Sequence, residues 1–266
     1  MCVAQVFLSQ DVAHTHAQVL EALEAEKYAH LNNSCFVDAT IGLGGHSSEF
    51  IKRNIFVIGI DSDDGSLEIA DEVLKKACPT SHQSDGGGCF KLLHGNFSEI
   101  DILVSKVYRG PVNGILFDLG ISSFQLDDCE RGFSFRYPGS LLDMRLDRKN
   151  QAVKAADLLT ILDKKKLEQV FAVVLPRNLA AAVSLAIAKG RLQKSVSTVA
   201  DLLEVIKPII RKKGKTDTAT LPFMALRMAV NSEMENLEEG LEKAFKIVSP
   251  GGRLVVISFH SGEDRI

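Results

Sequence analysis

Phe36-Val37-Asp38-Ala39-Thr40-Ile41-Gly42-Leu43-Gly44-Gly45-His46-Ser47 joins an apolar run to a carboxylate, a glycine cluster and the polar opening of a helix. In an α/β protein this order marks the end of the first strand, where a nucleotide-sized ligand is held. Glycine has no Cβ and tolerates positive φ, so backbone N–H groups in such a loop can approach a ligand closely. The helix that follows turns the positive end of its dipole to the same place. The spacing is not G-x-G-x-x-G, because the third, helix-packing glycine of the dinucleotide fingerprint is absent.

Outward from this loop the chain alternates strands and helices. Residues 12–31 carry a helical pattern, Cys35–Ala39 is the first strand, and Ser47–Arg53 is a short helix. Phe56-Val57-Ile58-Gly59-Ile60, ending at Asp61, is a continuous apolar run and so a strand buried on both faces. A helix over about 66–77, a Pro/Ser/Gly-rich flexible loop over 79–89, a third strand at Phe90–His94 and a helix over 99–108 follow. Gly114–Phe117, ending at Asp118, is the fourth strand and Leu254–Phe259 the fifth. Between them lie a charge-dense stretch, Asp127–Lys149, and helical patterns over 152–175, 178–190 and 197–211. One long amphipathic helix is expected over Phe223–Val248, stopped by Pro250-Gly251-Gly252. The fold class is therefore α/β, a Rossmann-like, doubly wound, mainly parallel sheet with a helical insertion. The expected domains are 1–124 with 223–266, and the insertion 125–222.

Bulk properties narrow the function classes. Hydrophobic residues make up 45% of the 266 and charged residues 24%, as in ordinary globular chains. The net charge of −3 offers no global basic field, so any nucleic-acid surface is local. It predicts weak, steeply salt-dependent binding of free RNA and a preference for an assembled particle. The five cysteines, Cys2, Cys35, Cys78, Cys89 and Cys129, contain no C-x-x-C pair. That argues against a zinc site or disulfide framework and for a reducing compartment. No stretch approaches the roughly 18 apolar residues of a membrane span, and the first residues have neither signal-peptide nor transit-peptide character.

Several residues point to chemistry. A carboxylate at Asp61 accepts both ribose hydroxyls of an adenosine, since two vicinal O–H donors match two oxygens; a helix N-cap is the competing reading. NAD and S-adenosylmethionine share this arrangement. The Pro-Gly-Gly turn before Leu254-Val255-Val256-Ile257, and Phe97 placed to lie against an adenine, favour S-adenosylmethionine; a plain core role for Phe97 competes. Asp118-Leu119-Gly120-Ile121-Ser122-Ser123 leaves the fourth strand where amino-group methyltransferases hold acceptors for the target amine. Such an acceptor orients a weakly nucleophilic conjugated amine for attack. Turn-capping roles for Asp118 and Ser122 remain open alternatives.

The longer blocks are specific. They are Asp38-x-Thr40-x-Gly42-x-Gly44-Gly45-His46-Ser47, Asp118–Ser123, Gln125 through Arg136, Leu142–Asp147, Ala225 through Glu233, and Gly251 through Arg265. Together they closely resemble the MraW/RsmH family, small-subunit ribosomal RNA methyltransferases acting on N4 of a cytidine. The resemblance spans about residue 12 to the end. It implies S-adenosylmethionine as cofactor, contacted by Gly44, Gly45, His46, Asp61, Phe97, Asp118 and Gln125. It implies small-subunit ribosomal RNA, or an assembling small subunit, as partner, and an insertion that helps hold RNA. Arg131, Arg136 and Arg145 are then candidate phosphate contacts, with ion pairing to nearby acids as the alternative. Ser122, Asp127 and His260 are the candidate catalytic residues; for His260 a structural hydrogen-bonding role is preferred. No metal is implied.

Departures accompany the resemblance. The family has Pro at Phe124, Leu at Gly262, and a Gly-Glu-Glu block before a basic helix where this chain reads Val173-Val174-Leu175-Pro176-Arg177-Asn178. The fold normally continues beyond Ile266 with a helix and two strands, so the C-terminal strands are expected to be missing and an apolar sheet edge left uncovered. The alternative to catalysis is a degenerate or truncated relative that binds RNA or the ribosome. The expected compartment is the cytoplasm or the mitochondrial matrix.

Overall fold

Strands buried on both faces must be apolar at successive positions. In the central strands the two residue sets enter two separate cores. The computed structural model describes residues 4–8, 16–28, 34–78, 88–210, 219–260 and 262–266. Its strands are β1 (Ala4–Leu8), β2 (Cys35–Asp38), β3 (Phe56–Asp61), β4 (Phe90–His94), β5 (Val112–Asp118) and β6 (Val248–Ile257). They form one six-stranded sheet in the order β1-β6-β5-β2-β3-β4, parallel throughout. Phe36, Val57, Leu116 and Val255 face one core, shared with Val19 and Leu23 of the N-terminal region, Phe50, and Leu74. Their neighbours Val37, Ile58, Ile115, Phe117 and Val256 face the other, against Ile100, Leu103, Leu237 and Ala244. The helices supplying these covers are α1 (His16–Ala22), α2 (Ala25–Tyr28), α3 (Gly45–Ile51) and α4 (Asp64–Ala77) on the first face. On the second they are α5 (Ile100–Val107) and, beyond the insertion, the last long helix, Glu233–Ile247.

Several expectations need correction. The sheet has six strands, not five: Ala4–Leu8 pairs in parallel with β6, Val6 opposite Val255. The edge beside the last core strand, expected to be uncovered, is therefore occupied. This strand was missed because its only evidence is pairing with residues at the far end of the sequence. The helical pattern over 12–31 is two short helices, turned at Glu24 with φ 51; residues 12–15 and 29–31 lie outside those described. Cys78 and Cys89 are bridged by a disulfide, with Cα atoms 5.8 Å apart, contrary to the reading of isolated thiols. The pairing depends on α4 ending beside the start of β4. Cys35 is buried and free, and Cys129 exposed and free; the tip of the 79–89 loop, up to residue 87, lies outside the described residues.

The chain divides into two compact units, Met1–Ile121 with Glu235–Ile266, and Ser122–Met234. The second junction thus falls later than residue 222. The second unit holds α6 (Ser123–Asp127), α7 (Ala155–Ile161), α8 (Lys164–Ala172), α9 (Arg177–Gly190), α10 (Val199–Ile206) and α11 (Thr220–Val230). Leu159, Leu167, Phe171, Val183, Ile187, Val199, Leu202 and Leu226 are fully buried within it. The pattern over 152–175 is broken at Asp163, whose side chain caps α8 by accepting from the Lys166 N–H.

The single helix expected over Phe223–Val248 is likewise two, α11 and α12 (Glu233–Ile247). The break is at Asn231-Ser232, where Ser232 takes φ 49. Asn231 is buried, donates from Nδ2 to the carbonyls of Met144 and Arg227, each at 2.8 Å, and accepts from the Leu146 N–H at 2.8 Å. Arg227 spans the break with a two-pronged ion pair to Glu233, both contacts 2.8 Å. Replacing Asn231 with Ala orphans the buried Leu146 N–H and the Met144 carbonyl, while the Arg227 carbonyl keeps the backbone N–H of residue 231 at 3.1 Å. Each orphan costs about 1–3 kcal/mol where water does not reach it. We expect Asn231→Ala to lower unfolding free energy by roughly 2–4 kcal/mol in urea denaturation.

Candidate cofactor site

In a parallel sheet the strand ends converge at one edge, and loops there are tied to each other rather than to a helix core. The Asp38–Ser47 loop shows how. The Ile41 N–H donates to the carbonyl of Ile60 at 3.0 Å, and the Gly42 N–H donates to Asp61 Oδ2 at 2.9 Å. Thr40 Oγ1 accepts from the Asp118 N–H at 2.7 Å, joining β2 to the end of β5. Gly42 and Gly44 take φ of 50 and 82, the left-handed region that side chains rarely adopt. A Cβ on Gly42 would find nothing nearer than the Thr40 carbonyl at 4.0 Å, so the space beside Gly42 is open.

Asp61 closes β3. Its Oδ1 accepts from the Asp63 N–H and its Oδ2 from Gly42, both at 2.9 Å. One lone pair remains on each oxygen for a further donor. Burial pushes its carboxyl up to about 6, partly offset by those two backbone donors. Asp38 is buried at the end of β2 and is also pushed up to about 6, chiefly by burial, against the Ser47 hydroxyl that donates to it at 2.7 Å. Asp61 serves no N-cap: α4 is capped by Asp63, which accepts from the Gly65 N–H.

His46 Nε2 lies 3.5 Å from Asp118 Oδ2. Burial would lower the His46 pKa, but Asp118 and Asp38 outweigh it and hold the imidazole above its ordinary value. Phe97 opens a one-turn 3-10 helix capped by Asn96. Its half-buried ring meets Phe117 edge-on with centroids 5.6 Å apart and packs close to Gly240. Gly44, Gly45, His46, Asp61, Phe97 and Asp118 thus stand at the carboxyl ends of four adjacent strands, β5-β2-β3-β4. Two residues at this edge escaped the sequence reading as site members. Thr40 was visible in the Asp38-x-Thr40 pattern; His16, which meets His46, had no local signal.

The remaining candidates belong to the second unit, apart from His260. Ser122 and Gln125 form a reciprocal cap on α6: the Ser122 Oγ accepts from the Gln125 N–H at 3.2 Å, and Gln125 Oε1 from the Ser122 N–H at 3.0 Å. Asp127 accepts from exposed Arg136 at 3.1 Å. Arg131 is buried and donates to the carbonyls of Arg145 and Leu146 at 2.8 and 3.1 Å, with its guanidinium 5.3 Å from the Phe133 ring centroid. Arg145 grips Asp143 with contacts of 2.7 and 2.8 Å and donates to the Gln151 carbonyl. Of the three arginines only Arg136 projects outward. His260, past β6, accepts from the Gly262 N–H on Nδ1 at 3.0 Å and sets Nε2 3.2 Å from Glu263. Among the described residues no cluster of three His, Cys, Asp or Glu side chains is placed to hold a metal, and no helix is long and apolar enough to cross a membrane.

A doubly wound parallel sheet with a glycine loop and an acidic strand end at its carboxyl edge defines an α/β enzyme that binds an adenosine cofactor. Residues 13–266 match the model of the MraW methylase family. Among similar proteins, the ribosomal RNA small subunit methyltransferase H of Caldicellulosiruptor saccharolyticus is 37% identical over 235 residues, 87% of this chain and 73% of that one. The protein of the same name from Methylacidiphilum infernorum is 38% identical over 87% of this chain and 70% of its own. That of Persephonella marina is 38% identical over 94% and 83%. The chain belongs to the MraW methylase family. It is a methyltransferase, and S-adenosylmethionine is its cofactor. The residues present fit that group: Gly42, at positive φ, leaves open space beside the backbone, and Asp61 keeps a free lone pair on each oxygen.

Proposed function

We propose that this enzyme methylates N4 of a cytidine in small-subunit ribosomal RNA. The observation that carries the reading is the family match over residues 13–266, together with relatives named for small-subunit ribosomal RNA. The cofactor supplies an electrophilic methyl on a sulfonium, which is already a good leaving group. Asp61 would accept the ribose hydroxyls, with the Gly44-Gly45-His46 loop, Asp118, Phe97 and Gln125 as the further residues that would hold the cofactor. The amine must be oriented with its lone pair toward the methyl, and the proton it loses passes to solvent. Ser122 and Asp127 are the candidates for that orienting role, His260 the weaker one. No covalent enzyme intermediate is needed. A cytidine presents its amine only after leaving a stack, so the substrate is single-stranded or opened RNA. Arg136, exposed and paired with exposed Asp127, is the proposed phosphate contact.

The test is nucleoside mass spectrometry of small-subunit ribosomal RNA from cells lacking the protein. Loss of N4-methylcytidine, restored by the wild-type gene, is expected; an unchanged level refutes the substrate. Restoration by a variant that cannot bind cofactor would instead point to RNA or ribosome binding without catalysis.

A further inference from the structure

We propose that His16 is a positioning residue of the cofactor loop, holding the His46 ring through a nitrogen–nitrogen hydrogen bond so that its other nitrogen stays turned to Asp118. The inference rests on the reading of the Gly44-Gly45-His46 loop as a cofactor site. His16 Nδ1 lies 3.2 Å from His46 Nδ1, the rings meet edge to face with centroids 4.6 Å apart, and His46 Nε2 faces Asp118 at 3.5 Å. The His16 ring also lies directly over Gly45, where an added Cβ would meet its Cε1 at 2.8 Å. His16 thus covers the loop residue that precedes His46 as well as bonding to His46.

The geometry restricts the protons. Two Nδ1 atoms at this distance share one hydrogen, so one ring donates and the other accepts. A neutral His46 with its proton on Nε2, facing Asp118, accepts from His16. A cationic His46 donates from both nitrogens and His16 accepts. Two cationic rings would set N–H against N–H and break the contact. The pair therefore carries at most one extra proton while it is intact. The groups facing it fit a proton on His46: Asp118 from β5 and Asp38 from β2 lie about His46, while His16 is faced by His46 and Glu49 of α3, by Lys52 just past its end, and by Asp118. Burial first, then His46, holds His16 below its ordinary value, which makes it the neutral partner.

His16→Phe keeps a ring over Gly45 and removes both nitrogens; His16→Gln keeps a group able to donate or accept but not to titrate. Calorimetric titration with S-adenosylmethionine should show His16→Phe binding roughly five- to tenfold more weakly, the worth of about one hydrogen bond. His16→Gln should recover most of that loss. Wild-type affinity should fall as pH drops below the ordinary histidine value of about 6.5 and a second proton enters the pair, and His16→Gln should flatten that part of the profile. In imidazole nitrogen–proton NMR spectra of the cofactor-free protein, His16→Phe should change the His46 tautomer and protonation signature, and His16→Gln should shift it less. Unchanged affinity, pH profile and His46 spectrum in His16→Phe would overturn the proposal. If the wild-type protein does not bind S-adenosylmethionine, the cofactor-site reading fails instead, and the His46 spectrum still decides whether His16 holds that ring.

Discussion

Asp61→Asn is expected to weaken S-adenosylmethionine binding by roughly a hundred- to a thousandfold without unfolding the protein. Two losses add. A carboxylate accepts from both ribose hydroxyls, and charge-assisted hydrogen bonds contribute about 1.5–3 kcal/mol each, so two correspond to two or more decades of affinity at about 1.4 kcal/mol per decade. The amide also disturbs the loop. Asp61 accepts the Asp63 N–H on one oxygen and the Gly42 N–H on the other; Asn has a single oxygen, so one of those donors must face its NH2. Folding should suffer little, because the folded carboxyl already binds its proton more tightly than an unfolded one, its value being about 6. The stability contributed by this group falls as pH rises from about 4 toward 6, and the neutral amide removes the burial cost of the charge. Isothermal titration calorimetry with a thermal unfolding control measures both effects. The same carboxyl gives the wild-type binding curve a sign. Ribose donors favour the ionised form, so cofactor binding near pH 6 should release protons, and affinity should fall as pH drops below the free value. Titrations near pH 6 in two buffers of different ionisation enthalpy would detect the release; its absence would mean that the ribose does not meet Asp61.

Gly132→Ala should be the most damaging single methyl addition in the second unit. Gly132 takes φ 72, and a Cβ there would stand 2.2 Å from the Leu141 carbonyl oxygen and 3.1 Å from the Asp143 nitrogen. All of these are backbone atoms, so no rotamer change relieves the clash. The left-handed conformation costs about 1–2 kcal/mol for a residue with a side chain, and the forced backbone shift about 1–3 more. The shift would reach buried Arg131 next door, whose carbonyl accepts from the Met144 N–H at 2.9 Å and whose guanidinium holds the 145–146 carbonyls. A total loss of roughly 3–5 kcal/mol in denaturant titration follows. Gly139→Ala is the control: nothing lies within 4 Å of its Cβ, and it should change stability by less than about 0.5 kcal/mol. Equal stability of the two variants would show that the 131–143 turn is not the constraint described.

The candidate site was legible where its chemistry is local. Gly42 and Gly44 stand at positive φ because a strand must turn abruptly toward a ligand edge, and Asp61 could be located because the apolar run before it ends at a carboxylate. Ser122, Gln125, Arg131 and Arg145 were visible as residue types only. Their partners are a reciprocal helix cap for the first two and backbone carbonyls or a neighbouring acid for the arginines. A side chain able to bind phosphate and one able to brace a loop look alike until the loop is folded.

By itself the sequence determined the doubly wound sheet, since Phe36-Val37, Val57-Ile58 and Ile115-Leu116-Phe117 are apolar at successive positions and can be buried only between two layers of helices. It also determined the glycine loop and the acidic strand end, and through its longer blocks the family. Tertiary structure alone decided that Ala4–Leu8 completes the sheet, that Cys78 meets Cys89, that Asn231 breaks a continuous helical pattern, and that His16 reaches His46. Each of these depends on pairing between segments whose own composition is neutral. An apolar period records which way a residue faces, but not which distant backbone or ring it will meet.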